Sequence, residues 1–403
     1  MAHFEVYCSN CGSSAEPHQS RCPGCSGLLS FRYDESAIQW DNSRRGMWRY
    51  RSMLPVSDPS DIVSLDEGGT PLLRSRTHNS VWFKDETRNP TGSHKDRPLS
   101  LALSNAKALR QKLSVVISAG STGISNAAMS SRAGISSLVF APRGTPAERL
   151  HPVQELGAQV VIVEDEIDAV VSRLAELSRI TDGLYDSSTA RSSNPYQSEA
   201  AKTISYEIVE QLGVPDWVVV PLGGGGTAAA IWRGFRDLQR LGRTETMPRL
   251  LGAVAENYNA FALAMDSDAT NPDDLIDASI ARPPTVLVKV AHVYPPDGVD
   301  GLAALKESHG VVRGVSDVDA LSAQARFGRE EGIYIEPSSA GCLVALDRAR
   351  AEGIIRPDET VVVLLSGSGF RETFLTIKAR PVELPSIRIG DMESTIESAI
   401  AHG

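Results

Sequence analysis

At 403 residues, with 41% hydrophobic and 22% charged side chains, the chain has the composition of a globular protein with more than one core. Its formal charge of −10 and the lack of a Lys/Arg cluster exclude nucleic acid as a partner, because phosphate backbones are held by grouped cations. The start MAHFEVYCSN has no basic stretch leading into an apolar one, and no run of about 18 apolar residues occurs, so neither an export signal nor a membrane span is expected and a cytoplasmic location is.

Four of the five cysteines lie in the first 25 residues, as two C-x2-C pairs, Cys8/Cys11 and Cys22/Cys25, set in turn-like sequence (CSNCG, CPGC). A two-residue gap lets both sulfurs of a tight turn face one point, so two such knuckles suit one tetrahedral zinc ion, with free or redox thiols as the alternative. Four protein ligands leave no open position, which makes the zinc structural. Cys342, alone in SSAGCLVAL, reads as a core residue. We take residues 1–30 as a zinc-ribbon-like segment and 31–80 as an arm and linker packing on the larger unit, its aromatic stretch WDNSRRGMWRYRSMLP anchoring it.

Short β-branched runs then alternate with Ala-rich amphipathic segments. The pattern predicts strands at 114–119, 136–142, 158–164, 217–222, 249–255 and 360–366, and a helix over 198–213. Such alternation argues for an α/β protein with two three-layer domains around mostly parallel, twisted, wholly buried sheets. The smaller is expected at 81–210 and the larger at 211–380, with 381–403 as a tail carrying a short amphipathic helix.

Three turns carry chemistry. In PLGGGGTAAAIWRGF the strand 217–222 runs into Gly223, Gly224, Gly225 and Gly226, and Thr227 opens a helix. Consecutive glycines let main-chain N–H groups approach an anion, and the helix terminus adds partial positive charge, making a phosphate cup; a plain tight turn is the alternative. It lacks the Gly-Lys-Ser/Thr ending of a nucleotide loop and the pattern of a dinucleotide site. In SAGSTGIS, Ser118, Gly120, Ser121 and Thr122 present hydroxyls and N–H groups suited to a carboxylate, although a helix cap would explain one or two of them. In NPTGSHKDR a sharp turn places Lys95 near the start of a helix. Lysine condenses with aldehydes when desolvated and near positive dipoles, whereas a lone lysine is ordinarily a solvated charge.

In order along residues 60–375, LDEGGTPLL, FKDETRNPTGSHKDR, SAGSTG, SSNPYQSEAAKTISYEIVEQLG, VVVPLGGGGT, EPSSAG and VVVLLSGSGF resemble the segments of the threonine synthase family. The resemblance implies the fold type II of pyridoxal-phosphate (PLP) enzymes, with Lys95 carrying PLP as a Schiff base. It implies also that Gly223 to Thr227 hold the cofactor phosphate, that Ser366 faces the pyridine nitrogen, and that the loop from Ser118 to Thr122 grips the substrate carboxylate. The reaction implied is a lyase conversion of O-phosphohomoserine and water to threonine and phosphate. The partners expected are the amino-acid substrate and a second copy of the chain.

Two positions depart from the family. Ser121 stands where asparagine usually contacts the cofactor ring hydroxyl, and His94 stands where an aromatic such as Phe usually precedes the lysine. His94 is a candidate for proton transfer beside Lys95, with packing as the other reading. A β-replacement or β-elimination on O-phosphoserine or a related activated amino acid is the competing reaction, and a ligand sensor using the ribbon is a third reading. Lys84, Lys202 and Arg143 are candidates for a substrate-phosphate subsite.

Overall fold

The computed structural model describes residues 3–118, 120–165, 167–381 and 384–402. Ala119, which falls in a predicted strand and in the Ser118–Thr122 loop, lies outside the described residues, as do the outermost residues of the ribbon and tail. Twelve strands are described: β1 (Phe4–Cys8), β2 (Leu29–Tyr33), β3 (Leu72–Arg74), β4 (Val81–Asp85), β5 (Leu113–Ile117), β6 (Ser136–Pro142), β7 (Gln159–Val163), β8 (Leu184–Asp186), β9 (Trp217–Pro221), β10 (Arg249–Ala255), β11 (Val311–Val315) and β12 (Val361–Leu365).

They form an antiparallel pair β1-β2, a six-stranded sheet in the order β11-β10-β9-β12-β4-β3, and a four-stranded sheet in the order β7-β6-β5-β8. The four-stranded sheet is parallel throughout, and the six-stranded one is parallel except where β3 joins β4. The central strands β9 (WVVVP) and β12 (VVVLL) read as unbroken apolar runs because both their faces are covered. Side chains alternate between faces at period two. Val219 and Val363 join a core with Ala340, Cys342 and Phe327, while Val218, Val220 and Leu364 join another with Ile204, Ile231 and Phe235. Helices Asp317–Glu331 and Pro337–Ala351 therefore cover one face, and Thr203–Leu212 and Gly226–Arg240 the other. Among the described residues no helix is long and apolar enough to cross a membrane.

Several expectations are corrected. β4 pairs in parallel with β12, so residues 81–85, assigned to the smaller unit, lie in the six-stranded sheet. The helix over 198–213 is two helices, Pro195–Ala200 and Thr203–Leu212. Nor is every strand buried: β7 is the edge of the four-stranded sheet, and Ile162 is 42% exposed there.

Beneath the sheets' carboxyl ends lies a buried ionic network. Arg97 is fully buried and donates through Nε and Nη2 to the two oxygens of Glu86 at 2.8 and 2.7 Å. It also donates through Nη1 and Nη2 to the two oxygens of Glu207 at 2.6 and 2.8 Å, and Lys84 Nζ lies 2.6 Å from Glu207. Two cations thus balance two carboxylates. The Arg97 forks hold Glu207 well below the usual carboxylate range, at about 2, against the upward push of burial. Removing one partner strands a buried charge, so Arg97→Met should cost about 3–5 kcal/mol, read as a lowered urea midpoint in equilibrium unfolding.

Candidate active site

Lys95 follows the turn Asn89–Ser93 and caps the helix Asp96–Ala108. Its position is set by its neighbours. Asp96 accepts from the Thr91 N–H and hydroxyl and from the Ser125 hydroxyl, each at 2.6 Å, which binds the turn to the helix Ser121–Ala133. Arg97 is anchored in the ionic network. The His94 N–H donates to the Ser366 carbonyl at 3.0 Å and the Ser368 N–H to the Gly92 carbonyl at 2.9 Å, so the turn is stitched to the loop that leaves β12.

Lys95 opens into a cavity of about 490 Å³, within the size range of small-molecule sites. His94, Ser366, the run Gly223–Thr227, and Ser118, Gly120, Ser121 and Thr122 line the same cavity. The residues expected to hold the cofactor and the substrate carboxylate are thereby brought together from four separate strand ends, those of β4, β5, β9 and β12. Burial lowers the Lys95 ammonium to about 8; Asp297 and Glu336 oppose that shift and Lys289 adds to it. Among the described residues the amine has no hydrogen-bond partner, so it is free to react.

The glycine run fits its reading as an anion cup. Gly225 has φ of +91°, which favours glycine, and a Cβ on Gly226 would stand 2.4 Å from an oxygen of Asp297. Ser118 spends its hydroxyl on the loop itself, accepting from the N–H groups of Gly120 and Gly123 at 3.1 and 3.0 Å. Ser121 begins the helix Ser121–Ala133, whose open N–H groups face the cavity.

His94 lines the cavity beside Lys95, with its ring nitrogens turned to two loops. Its Nδ1 lies 3.1 Å from the Ser366 carbonyl oxygen, which can only accept, and its Nε2 lies 3.4 Å from the Thr227 hydroxyl. Burial, with the charge of Lys95, pushes its pKa down to about 3, so the ring stays neutral near neutral pH and bridges two loops. The three phosphate-subsite candidates are corrected. Lys84 is consumed by Glu207, and Lys202 is buried against Glu199 at 2.6 Å and Asp237 at 3.2 Å. Arg143 is exposed beside Glu164. None of them lines the cavity.

Other residues, missed in the sequence, do. Lys289 Nζ donates to the Ser121 hydroxyl at 2.9 Å and pairs with Glu372 at 2.9 Å, and Arg149 meets the same Glu372 oxygen at 2.5 Å. Glu336, 3% exposed, accepts from the Ser366 hydroxyl at 2.7 Å, so a carboxyl group stands behind the expected ring-nitrogen partner. Burial pushes that carboxyl up. Asp297 lies beside the glycine loop, its Oδ1 accepting from the Arg191 N–H at 2.8 Å. The Arg191 guanidinium reaches the ribbon, donating to the Leu29 carbonyl at 3.0 Å and to the hydroxyls of Ser9 and Ser30 at 2.5 and 2.7 Å. Glu336 belonged to a recognised motif, EPSSAG; for the rest no local signal existed.

In the ribbon the ligand atoms of Cys8, Cys11, Cys22 and Cys25 all lie within 4.8 Å of one another, with Cys8–Cys25 and Cys11–Cys22 sulfurs 3.5 and 3.7 Å apart. A tetrahedron with zinc–sulfur bonds of about 2.3 Å has an edge of about 3.8 Å, so the donor set fits such an ion.

Comparison with known proteins agrees with this geometry. The pyridoxal-phosphate dependent enzyme family matches residues 63–367. The threonine synthase of Methanocaldococcus jannaschii is 33% identical over 88% of this chain and 89% of its own, and that of Synechocystis 32% identical over 84% and 85%. Among solved structures, an O-ureido-L-serine synthase superposes with a TM-score of 0.61 at 21% identity, over 79% of this chain and 94% of its own. The processed form of threonine deaminase isoform 2 from Solanum lycopersicum superposes at 0.60 with 18% identity, over 81% and 82%, and these two show the shared fold. The chain belongs to the pyridoxal-phosphate-dependent enzymes, as a lyase homologous to the threonine synthases.

Proposed function

We propose that the enzyme converts O-phosphohomoserine and water to threonine and phosphate. One observation carries the reading: an amine of lowered pKa, a glycine anion cup and a hydroxyl-bearing helix terminus share one cavity, in a chain whose homologues over most of its length are threonine synthases. The residues present fit PLP, since Lys95 would hold its aldehyde carbon, Gly223–Thr227 its phosphate and Ser366 its ring nitrogen. When bound, the cofactor supplies an electron sink for the charge left at the substrate Cα.

Lys95 Nζ takes the proton from Cα and holds it for return, a task suited to a base that titrates close to physiological pH. The helix terminus at Ser121 and Thr122 orients the substrate carboxylate. Arg149 and Lys289, rather than Lys84, Lys202 and Arg143, supply the positive field that a doubly anionic substrate needs. His94 holds the cup against the β12 loop. The four cysteines hold one structural zinc ion.

Phosphate release from O-phosphohomoserine with stoichiometric threonine tests the assignment. Lys95→Ala should lower it by about 10²- to 10⁴-fold and abolish cofactor retained after borohydride reduction. Faster turnover of O-phosphoserine would transfer the assignment to the competing β-elimination or β-replacement.

The rate at which an aldehyde probe traps Lys95 in cofactor-free protein should rise with pH through a midpoint of about 8, as the ammonium loses its proton. In His94→Phe the curve should keep a single step, because the imidazole is neutral across that range.

Elemental analysis of anaerobically purified protein should find one zinc per chain. Cys11→Ser should lower thermal stability more than turnover per folded molecule, measured by calorimetry beside the phosphate assay.

A further inference from the structure

The Asp297 carboxyl is held in an unusual place for an acidic group. Its backbone is tied to the glycine loop, its N–H donating to the Gly224 carbonyl at 2.8 Å and its carbonyl accepting from the Gly301 N–H at 2.9 Å. Oδ1 is fixed by the Arg191 N–H at 2.8 Å. That anchor turns Oδ2 to the mouth of the helix Gly226–Arg240, where a Cβ on Gly226 would come within 2.4 Å of it. Asp297 also lines the cavity that contains the glycine run and Lys95, and among the described residues Oδ2 has no hydrogen-bond partner. One acid therefore shares the cup in which the glycine N–H groups would gather a phosphate.

We propose that Asp297 is a ligand of the cofactor phosphate, its protonated carboxyl donating a hydrogen bond from Oδ2 to a phosphate oxygen. This rests on the reading that Gly223–Thr227 hold that phosphate.

Two anions in one cup cannot both be fully ionised, and the pair keeps a proton that either would lose alone in water. The surroundings favour the acid form. Burial raises the carboxyl to about 6 before any phosphate arrives. The charged groups facing it are mixed: Asp300 raises the pKa, while Arg233 and Lys95 lower it, and Asp300 is itself paired with the Arg191 guanidinium at 2.7 Å. A phosphate monoester in water has its second pKa near about 6, so the shared proton leaves only above that. Once it leaves, repulsion between carboxylate and dianion weakens the hold on the cofactor. Holding the cofactor thus takes up a proton, so retention falls with rising pH by up to about tenfold per pH unit between the free groups' values, about 6, and the midpoint of the bound pair, and levels off above it.

The test uses the holoenzyme. The phosphorus resonance of bound cofactor should titrate in the wild type with a midpoint above that of free pyridoxal phosphate, and should stay at one ionisation state in Asp297→Asn. Equilibrium dialysis against cofactor-free buffer should show wild-type retention dropping on the order of tenfold between pH 7 and 8.5, with little change in Asp297→Asn. Both proteins keep Lys95, so its own titration cancels in the comparison. A pH-independent phosphorus resonance in the wild type, or the same pH dependence of retention in both proteins, overturns the role of Asp297 and leaves the glycine cup standing. A bound resonance that titrates as free pyridoxal phosphate, together with undiminished retention in Gly225→Ala, overturns the cup reading itself. If Asp297→Asn does not fold, the wild-type phosphorus titration decides alone.

Discussion

The cavity depends on a charge that never meets solvent. Arg97 sits two residues beyond Lys95 and spends its fork on Glu86 and Glu207, which come from two other segments of the chain. Glu86 leaves β4 directly, and Glu207 lies on a helix covering one face of that sheet. The geometry of one guanidinium therefore fixes three chain segments at once, and a lysine could not replace it, because a point charge cannot bind two carboxylates edge to edge. Such networks gain little net stability over well-packed apolar groups. What this one secures is position, since the residue between the anchored Asp96 and His94 has little choice about where its amine points.

Around that amine the charges are graded. Lys95 feels Asp297 from the side of the glycine loop and Glu336 from the side of Ser366, while Lys289 stands across the cavity. The carboxyls keep the amine from losing its proton too easily, and burial keeps it from holding that proton too firmly. The outcome is a base that titrates close to the pH of its surroundings, the condition under which a proton can be both taken and returned. Glu336 also alters the meaning of Ser366. A hydroxyl that donates to a carboxyl offers its lone pairs elsewhere, so the serine is not simply a neutral group facing the cavity.

Much of this was legible in the order of residues, and the reasons differ from place to place. Strands 136–142 and 249–255 were delimited to the residue because short, mainly apolar runs there end in polar, turn-forming sequence. β8 (LYD) and β3 (LLR) were too short to show a period, and β11 (VVRGV) is interrupted by Arg and Gly. The Lys95 turn and the glycine run announce themselves because their chemistry is local: proline, glycine and lysine within nine residues, or four glycines after a strand. Lys84 and Lys202 misled because nothing beside a lysine in sequence reveals whether a distant acid will be buried with it. Lys289, Arg149 and Glu372 escaped notice for the converse reason. Their meaning arises only where three separated segments converge on the Ser121 hydroxyl and on one another.

The reach of Arg191 to the ribbon also shapes how the chain must assemble. Its bonds to Leu29, Ser30 and Ser9 close loops of 162, 161 and 182 residues. Thermodynamically such length matters little, since each doubling of a loop adds only about 0.6 kcal/mol. Kinetically it matters more, because contacts this distant cannot form until the intervening strands exist. The ribbon is made before the segment it docks on and is among the last to find its seat. During that interval its own β1-β2 pairing and its four clustered sulfurs must keep it closed, shielding Val6 and Leu29 from neighbours on other nascent chains. A ribbon that closes on itself before it docks is thus a requirement of this topology, independent of any part the ribbon takes in the chemistry.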